Sequence, residues 1–245
     1  MPAMTGPYTL IILCGGEGSR MGGADKGWLT IAGIPFVSAL LDRFADQPQV
    51  NILISANRHR QRYAALGYDV LSDLRSAPCG PLAGIEACIH GRQAAPVVVI
   101  PCDMPNVPSD LPERLLASLN TADDIAVVHD GRQDQPLCCA FYPRRWADDL
   151  SAQLDHGHYG VRHWLRDKPV NYVHFGNTTD FMNVNNPAEL MMLNGKTITT
   201  AVTKEKIRYT LANDRYKNTR LHDLPLARRI PRSGCRSRIS QARRG

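Results

Sequence analysis

Apolar runs and helical stripes alternate along the first four-fifths of the chain. Tyr8–Leu13, Val50–Ser55 and Val97–Ile100 are short, dense and largely β-branched, the mark of strands buried on both faces. Asp69–Leu71 and Val170–Phe175 read as two further strands. Between them lie segments with 3.6-residue periodicity. Pro35–Phe44 has Pro35 in its first turn and Phe36, Leu40, Leu41 and Phe44 on one face. Gly80–Ile89 turns Leu82, Ile85 and Ile89 inward, and Asp110–Leu119 follows Ser109 as its expected cap. Arg144–Leu154 and Val161–Leu165 are helical, and Pro187–Leu193 begins a last helix. Asp124–Val128 and Leu137–Tyr142 flank a turn around Asp130-Gly131, which predicts a β-excursion and a mixed sheet. The alternation predicts a three-layer α/β/α fold, mostly parallel, with right-handed crossovers.

Length and charge divide the chain. At 245 residues it suits one α/β domain with room for an appendage. Residues 194–245 hold 14 Lys or Arg against 3 Asp or Glu, leaving 15 basic and 20 acidic groups in residues 1–193. The formal charge of +6 therefore belongs to the end of the chain, and the body is mildly acidic. The expected organisation is a catalytic domain over 1–193 and a basic, disordered extension over 194–245. A nucleic-acid reading rests on that extension alone. Its other readings are a dock for an acidic partner and a neutral appendage. The seven cysteines are odd in number and form no C-x-x-C, which argues against a disulfide framework or structural zinc. No apolar run approaches the ~18 residues of a membrane span, and no secretory leader precedes Tyr8, so a cytoplasmic location is expected.

The candidate chemistry begins where the first strand ends. Leu13-Cys14-Gly15-Gly16-Glu17-Gly18-Ser19-Arg20-Met21-Gly22-Gly23-Ala24-Asp25-Lys26 places five glycines between an apolar strand and a lysine. Backbone N–H groups freed of Cβ atoms can turn inward on an anion, and Arg20 and Lys26 add fixed positive charge. A loop at the carboxyl end of a first parallel strand is where open α/β sheets hold phosphates. Two commoner phosphate motifs fail here. Lys26 is followed by Gly27 rather than Ser or Thr, which excludes the Walker loop. Met21 stands where G-x-G-x-x-G needs its third glycine, and Val50–Ser55 runs into Ala56-Asn57-Arg58-His59 without a carboxylate for a ribose.

The loop resembles the pyrophosphorylase signature of nucleotidyltransferases. More narrowly, Leu13-Cys14-Gly15-Gly16, Arg20-Met21-Gly22-Gly23 and Asp25-Lys26-Gly27 resemble the molybdenum cofactor guanylyltransferases. The resemblance continues in order through Ser55-Ala56-Asn57-Arg58-His59, Gly80-Pro81-Leu82-Ala83-Gly84, Pro101-Cys102-Asp103-Met104-Pro105 and Phe181-Met182-Asn183-Val184-Asn185. It spans about residues 8–193. It implies a Rossmann-like nucleotidyltransferase fold and transfer of a guanylyl group from GTP to molybdopterin, with release of pyrophosphate. Mg²⁺ is the implied cofactor. Cofactor-synthesis enzymes or molybdoenzyme chaperones are the candidate protein partners, with no membrane and no nucleic acid. The alternatives are a cytidylyl- or sugar-nucleotide transferase on the same fold, and a protein that only binds a nucleotide or nucleic acid. The Leu-x-Gly-Gly start, rather than Leu-Ala-Ala-Gly, favours the guanylyl branch by resemblance.

The residues themselves suggest roles. Asp103 follows the central strand, where an unpaired carboxylate is costly, and is expected to hold the metal; its bland reading is a turn residue before Pro105. Lys26 and Arg20 are expected at the triphosphate and the leaving pyrophosphate. Asp25 either positions Lys26 or ends a turn. Leu13, Cys14, Gly15, Gly16, Ser55, Asn57, Asp73 and Gly80 are the expected nucleotide contacts, Ser55, Asn57, Asp73 and Gly80 through resemblance. Two of these depart from the family: Ser55 stands where an asparagine can occur, and Cys14 replaces the usual alanine. Asn183 and Asn185 are expected near the pterin by resemblance, against a reading as Asx turns. His129, Asp130 and Gln135-Pro136 are weaker candidates for the same pocket.

Overall fold

A computed structural model describes residues 6–15, 25–47, 49–92, 94–185 and 189. The expected helix over Pro187–Leu193 and the extension over 194–245 lie outside the described residues. The core is a seven-stranded sheet in the order β5-β4-β1-β6-β8-β7-β9. Its strands are β1 (Tyr8–Leu13), β4 (Val50–Ser55), β5 (Asp69–Leu71), β6 (Val97–Pro101), β7 (Ile125–His129), β8 (Asp134–Phe141) and β9 (Val170–His174). β5, β4, β1 and β6 run parallel, β8 lies antiparallel between β6 and β7, and β9 is parallel to β7. The sheet is mixed, as the turn at Asp130-Gly131 predicted.

Strand alternation builds the two outer layers. Leu10 and Ile12 of β1, Ile52 and Ile54 of β4, and Val98 and Ile100 of β6 face one side. There they meet α1 (Phe36–Phe44), α4 (Leu111–Ala117) and Tyr63 of the short α2 (Arg60–Ala64). Ile11, Leu13, Leu53, Val97 and Val99 face the other side, against α3 (Pro81–Ile89), α5 (Pro143–Asp155) and α6 (Val161–Leu165). Central strands sandwiched this way are apolar at most positions, which is why they read as near-continuous runs. The six described cysteines are free and buried, filling these layers as small hydrophobes.

Some elements differ from the sequence reading. α4 starts at Leu111, and its cap position is Asp110 with no side-chain cap bond. Ser109, the expected cap, instead offers its carbonyl to Gln47 Nε2 at 2.6 Å. β8 begins three residues earlier than expected, at Asp134. The five-residue α2 and a two-stranded hairpin of β2 (Thr30–Ile31) and β3 (Ile34–Pro35) went unread. Both are too short to show a period.

Candidate active site

Four parallel strands end on one level. Leu13 pairs with Ser55 on one side and Pro101 on the other, and Ser55 pairs with Leu71. The ladder runs one bond further, from Cys14 N to Ser55 O at 2.8 Å, Cys102 N to Leu13 O at 3.0 Å and Ala56 N to Leu71 O at 2.8 Å. The next residues along each strand are therefore delivered to one rim, which gathers Gly15, Asn57, Asp73 and Asp103. β1 is where the chain order reverses, with β4 on one side and β6 on the other. That crevice is the usual ligand position of an open α/β sheet.

A cavity of about 500 Å³ opens over the β1, β4 and β5 ends. Leu13, Cys14, Gly15, Ser55, Asn57, Asp73 and Gly80 all line it, together with Asp25, Arg75 and the Ser76-Ala77-Pro78 wall. Asn57 and Asp73 are locked to each other. Asn57 Nδ2 donates to Asp73 Oδ2 at 2.8 Å, and Asp73 N donates to Asn57 Oδ1 at 2.9 Å. Asn57 thereby spends both ends of its amide on fixing Asp73. Gly80 sits at φ +70°, and a β-carbon there would lie 3.3 Å from the Tyr159 carbonyl. Gly84 lets α3 close on the sheet, because a β-carbon there would lie 2.4 Å from Ser55 Oγ. The Ser55 hydroxyl thus packs under α3, and the residue is only 3 % exposed.

Beside the cavity, at the β1–β6 ends, stands a polar cluster. Lys26 Nζ donates to Asp103 Oδ2 at 2.8 Å and to Asn185 Oδ1 at 2.5 Å. The Asn183–Asn185 segment is docked here by its backbone, with Val184 N donating to Asp103 O at 3.0 Å and Asn185 N to Glu189 Oε2 at 2.5 Å. The Lys26 and Asp103 side chains remain 23 % and 17 % exposed, enough for a ligand to reach both. Asp25 caps the turn that carries Lys26, and no hydrogen bond joins it to the Lys26 side chain. Its carboxylate accepts from Tyr63 Oη at 2.5 Å and Gly27 N at 3.2 Å, and contacts His59 Nδ1 at 3.0 Å. Burial, the neighbouring Cys14 and the bond to Asp25 push the Tyr63 phenol far above its ordinary pKa, so it stays a donor. The turn Lys26–Trp28 is thereby clamped, and Lys26 is aimed at Asp103.

Not every candidate falls in place. Gly16 and Arg20 lie outside the described residues. Asn183 does not stand beside Asn185 at Lys26; its Oδ1 is buried with no hydrogen-bond partner. Asp130 is spent on its own turn, accepting from Arg132 N, Gln133 N and Gln135 Nε2 at 2.8, 2.9 and 2.7 Å. Burial opposes ionisation there, but these donors together hold its carboxyl below the usual range. The His129 ring packs on His174 with centroids 4.7 Å apart. Tyr63 and Arg75 were missed, because their partners come from distant parts of the chain and no local spacing announces them.

A strand-end crevice with a lysine–aspartate pair narrows the choice of fold family, and comparison decides it. The profile of the MobA-like NTP transferase domain matches residues 10–173. The chain belongs to the MobA-like NTP transferase family. A molybdenum cofactor guanylyltransferase of Shewanella sediminis is 39 % identical over 186 residues, covering 75 % of this chain and 93 % of that protein. The enzyme of the same name from Shewanella piezotolerans is 38 % identical over 193 residues, covering 78 % and 93 %. Among solved structures, molybdopterin-guanine dinucleotide biosynthesis protein A of Archaeoglobus fulgidus superposes with a TM-score of 0.65 at 19 % identity. It covers 78 % of this chain and 100 % of its own, which bears on the fold alone. At the strand-end crevice this chain places Asp73 in the cavity lining and pairs Lys26 with Asp103. No helix among the described residues is long and apolar enough to cross a membrane.

Proposed function

We propose that the protein transfers GMP from GTP to the terminal phosphate of a molybdopterin-type cofactor and releases pyrophosphate, in the cytoplasm. A bond forms between an acceptor phosphate oxygen and the α-phosphorus as the bond to the β-phosphate oxygen breaks. The acceptor oxygen is already anionic, so no side-chain base is needed. Catalysis is then positioning and charge neutralisation. The observation that carries this reading is the clamped Lys26, held at 2.8 Å from Asp103 and next in the chain to Asp25, which lines the cavity. Lysine has three N–H donors. Two go to Asp103 and Asn185, and the third would meet a phosphate oxygen. Asp73, steadied by Asn57, would accept from the N1–H and N2–H edge of guanine. Arg20 would meet the leaving pyrophosphate, and Asn185 would face the pterin side.

Among the described residues no group of three or more His, Cys, Asp or Glu gathers to hold a metal. The single carboxylate of Asp103 is the donor available, and Mg²⁺ needs only one or two protein carboxylates when phosphates and water complete its shell. Asp103 would be its protein ligand, and the ion would supply Lewis-acid neutralisation of phosphate charge. The test is pyrophosphate release from GTP with Mg²⁺ and molybdopterin-loaded acceptor, beside CTP and ATP. Acceptor-dependent release with GTP alone is expected. Release with CTP instead would overturn the base assignment, and no release with any nucleotide would overturn the transferase reading.

A further inference from the structure

The segment between β5 and α3 forms one wall of the cavity but contains no helix or strand of its own. Its middle is pinned by one side chain. Arg75 Nε and Nη2 donate to the two oxygens of Glu86 at 2.8 and 2.7 Å, a bidentate pair. Nη1 reaches Asp155 Oδ1 at 2.6 Å, and Nη2 also meets Ser151 O and Oγ at 3.2 Å each. Ser151 Oγ in turn donates to Glu86 Oε1 at 2.8 Å. Glu86 belongs to α3, and Ser151 and Asp155 to α5, so one guanidinium ties the wall to both helices that back it.

The position of Glu86 argues that this tie has a purpose. It is 9 % exposed in a helix whose other buried residues are Leu82, Ala83, Gly84, Ile85, Ala87, Cys88 and Ile89. A carboxylate in such surroundings is costly unless paired, and Arg75 is its partner. The three residues after Arg75 are Ser76, Ala77 and Pro78, which face the cavity with short side chains. Main-chain groups there must do much of the work of meeting a base. Their placement depends on three anchors: the Asn57–Asp73 pair before them, Gly80 against the Tyr159 carbonyl after them, and Arg75 between.

We propose that Arg75 is a positioning residue for nucleobase selection: by tying the cavity wall to α3 and α5 it fixes the main-chain groups that discriminate guanine from other bases. The proposal rests on the reading of the cavity as the nucleotide site. A wall held in its bound shape spares the ordering cost at binding, and that saving is what gives the fitted base its advantage. Lysine cannot replace the fork, since it is a point charge without bidentate geometry.

The experiment is equilibrium titration of the full-length protein with GTP, ATP and CTP, alongside thermal unfolding of the nucleotide-free protein. Arg75→Lys is expected to raise the Kd for GTP about tenfold and to shrink the GTP-over-ATP preference by a similar factor. Ser151→Ala, a milder cut in the same network, should raise it about twofold and serves if Arg75→Lys does not fold. Arg145→Ala, which removes a surface pair with Asp123, should leave both values unchanged. Variants that melt earlier but keep wild-type GTP affinity and preference would reduce Arg75 to a stabilising strut and overturn the proposal. A wild type that prefers CTP to GTP would overturn the guanylyl reading alone. Arg75 would then stand or fall on whether Arg75→Lys collapses the CTP preference.

Discussion

The two halves of the site are held in opposite ways. On the cavity side, Asp73 is locked by Asn57, and Arg75 binds its wall to α3 and α5 with hydrogen bonds that no nucleotide need displace. On the Lys26 side, the ammonium rests on Asp103 and Asn185, both within reach of ligand, while its backbone turn is clamped through Asp25 and Tyr63. One half is finished before substrate arrives. The other is aimed but keeps its charges exchangeable. Selecting a base rewards a fixed wall, whereas neutralising a charge that develops during reaction requires groups that can shift their bonding to phosphate.

The contrast breaks most severely at Asp103. Asp103→Ala should cut turnover by about 10³-fold while leaving GTP protection against heat largely intact, since it would remove both the proposed metal ligand and the anion paired with Lys26. Lys26→Ala should follow, raising the barrier by about 3 kcal/mol, read from kcat at saturating GTP. Wild-type turnover in either variant would remove that residue from the reaction.

Smaller changes probe how each half is built. Gly84→Ala should cost about 1–3 kcal/mol of stability by urea unfolding, because its β-carbon would sit 2.4 Å from Ser55 Oγ. Ser55→Ala in the same chain should recover most of it, as the Ser55 β-carbon lies 3.4 Å from that point. A double variant no better than the single would place the strain elsewhere. Tyr63→Phe should cost about 1 kcal/mol and lower kcat more than it raises the KM for GTP, since the lost bond steadies Asp25 beside Lys26.

The smallest effect is one of pH. Arg75 holds the Glu86 carboxyl below the usual carboxylate range, with burial opposing and Ser151 assisting. A carboxylate depressed in the folded state stabilises above its unfolded pKa of about 4.3 and stops doing so as pH falls through its lower folded value. The stability gap between wild type and Glu86→Gln should therefore be full near neutral pH and close in acid. A gap that widens in acid would mean the pair is not what depresses Glu86.

Much of this was legible in the chain. β1 and β6 stand out in the sequence because strands sandwiched between helices are near-continuously apolar. Lys26 and Asp103 stand out as candidates because each sits just past a glycine loop or a strand, whereas Asp73 enters through the family resemblance. Ser109 was misjudged because capping residues also serve as plain turn residues, and the structure used its carbonyl. Tyr63 and Arg75 were invisible for a different reason. Tyr63 finds Asp25 across 38 residues and Arg75 finds Asp155 across 80, and only the folded sheet brings them together. α2 escaped notice because a five-residue helix with one buried side chain has no stripe.

The most direct test sets Asp73→Ala beside Lys26→Ala, measuring equilibrium GTP affinity and single-turnover pyrophosphate release in both. A finished recognition wall and an exchangeable charge cluster predict an asymmetric result. Asp73→Ala should weaken GTP binding about tenfold and turn over near the wild-type rate once saturated, while Lys26→Ala should stay slow at any GTP concentration. If both variants failed in the same parameter, the division of labour between the two halves of the site would be wrong.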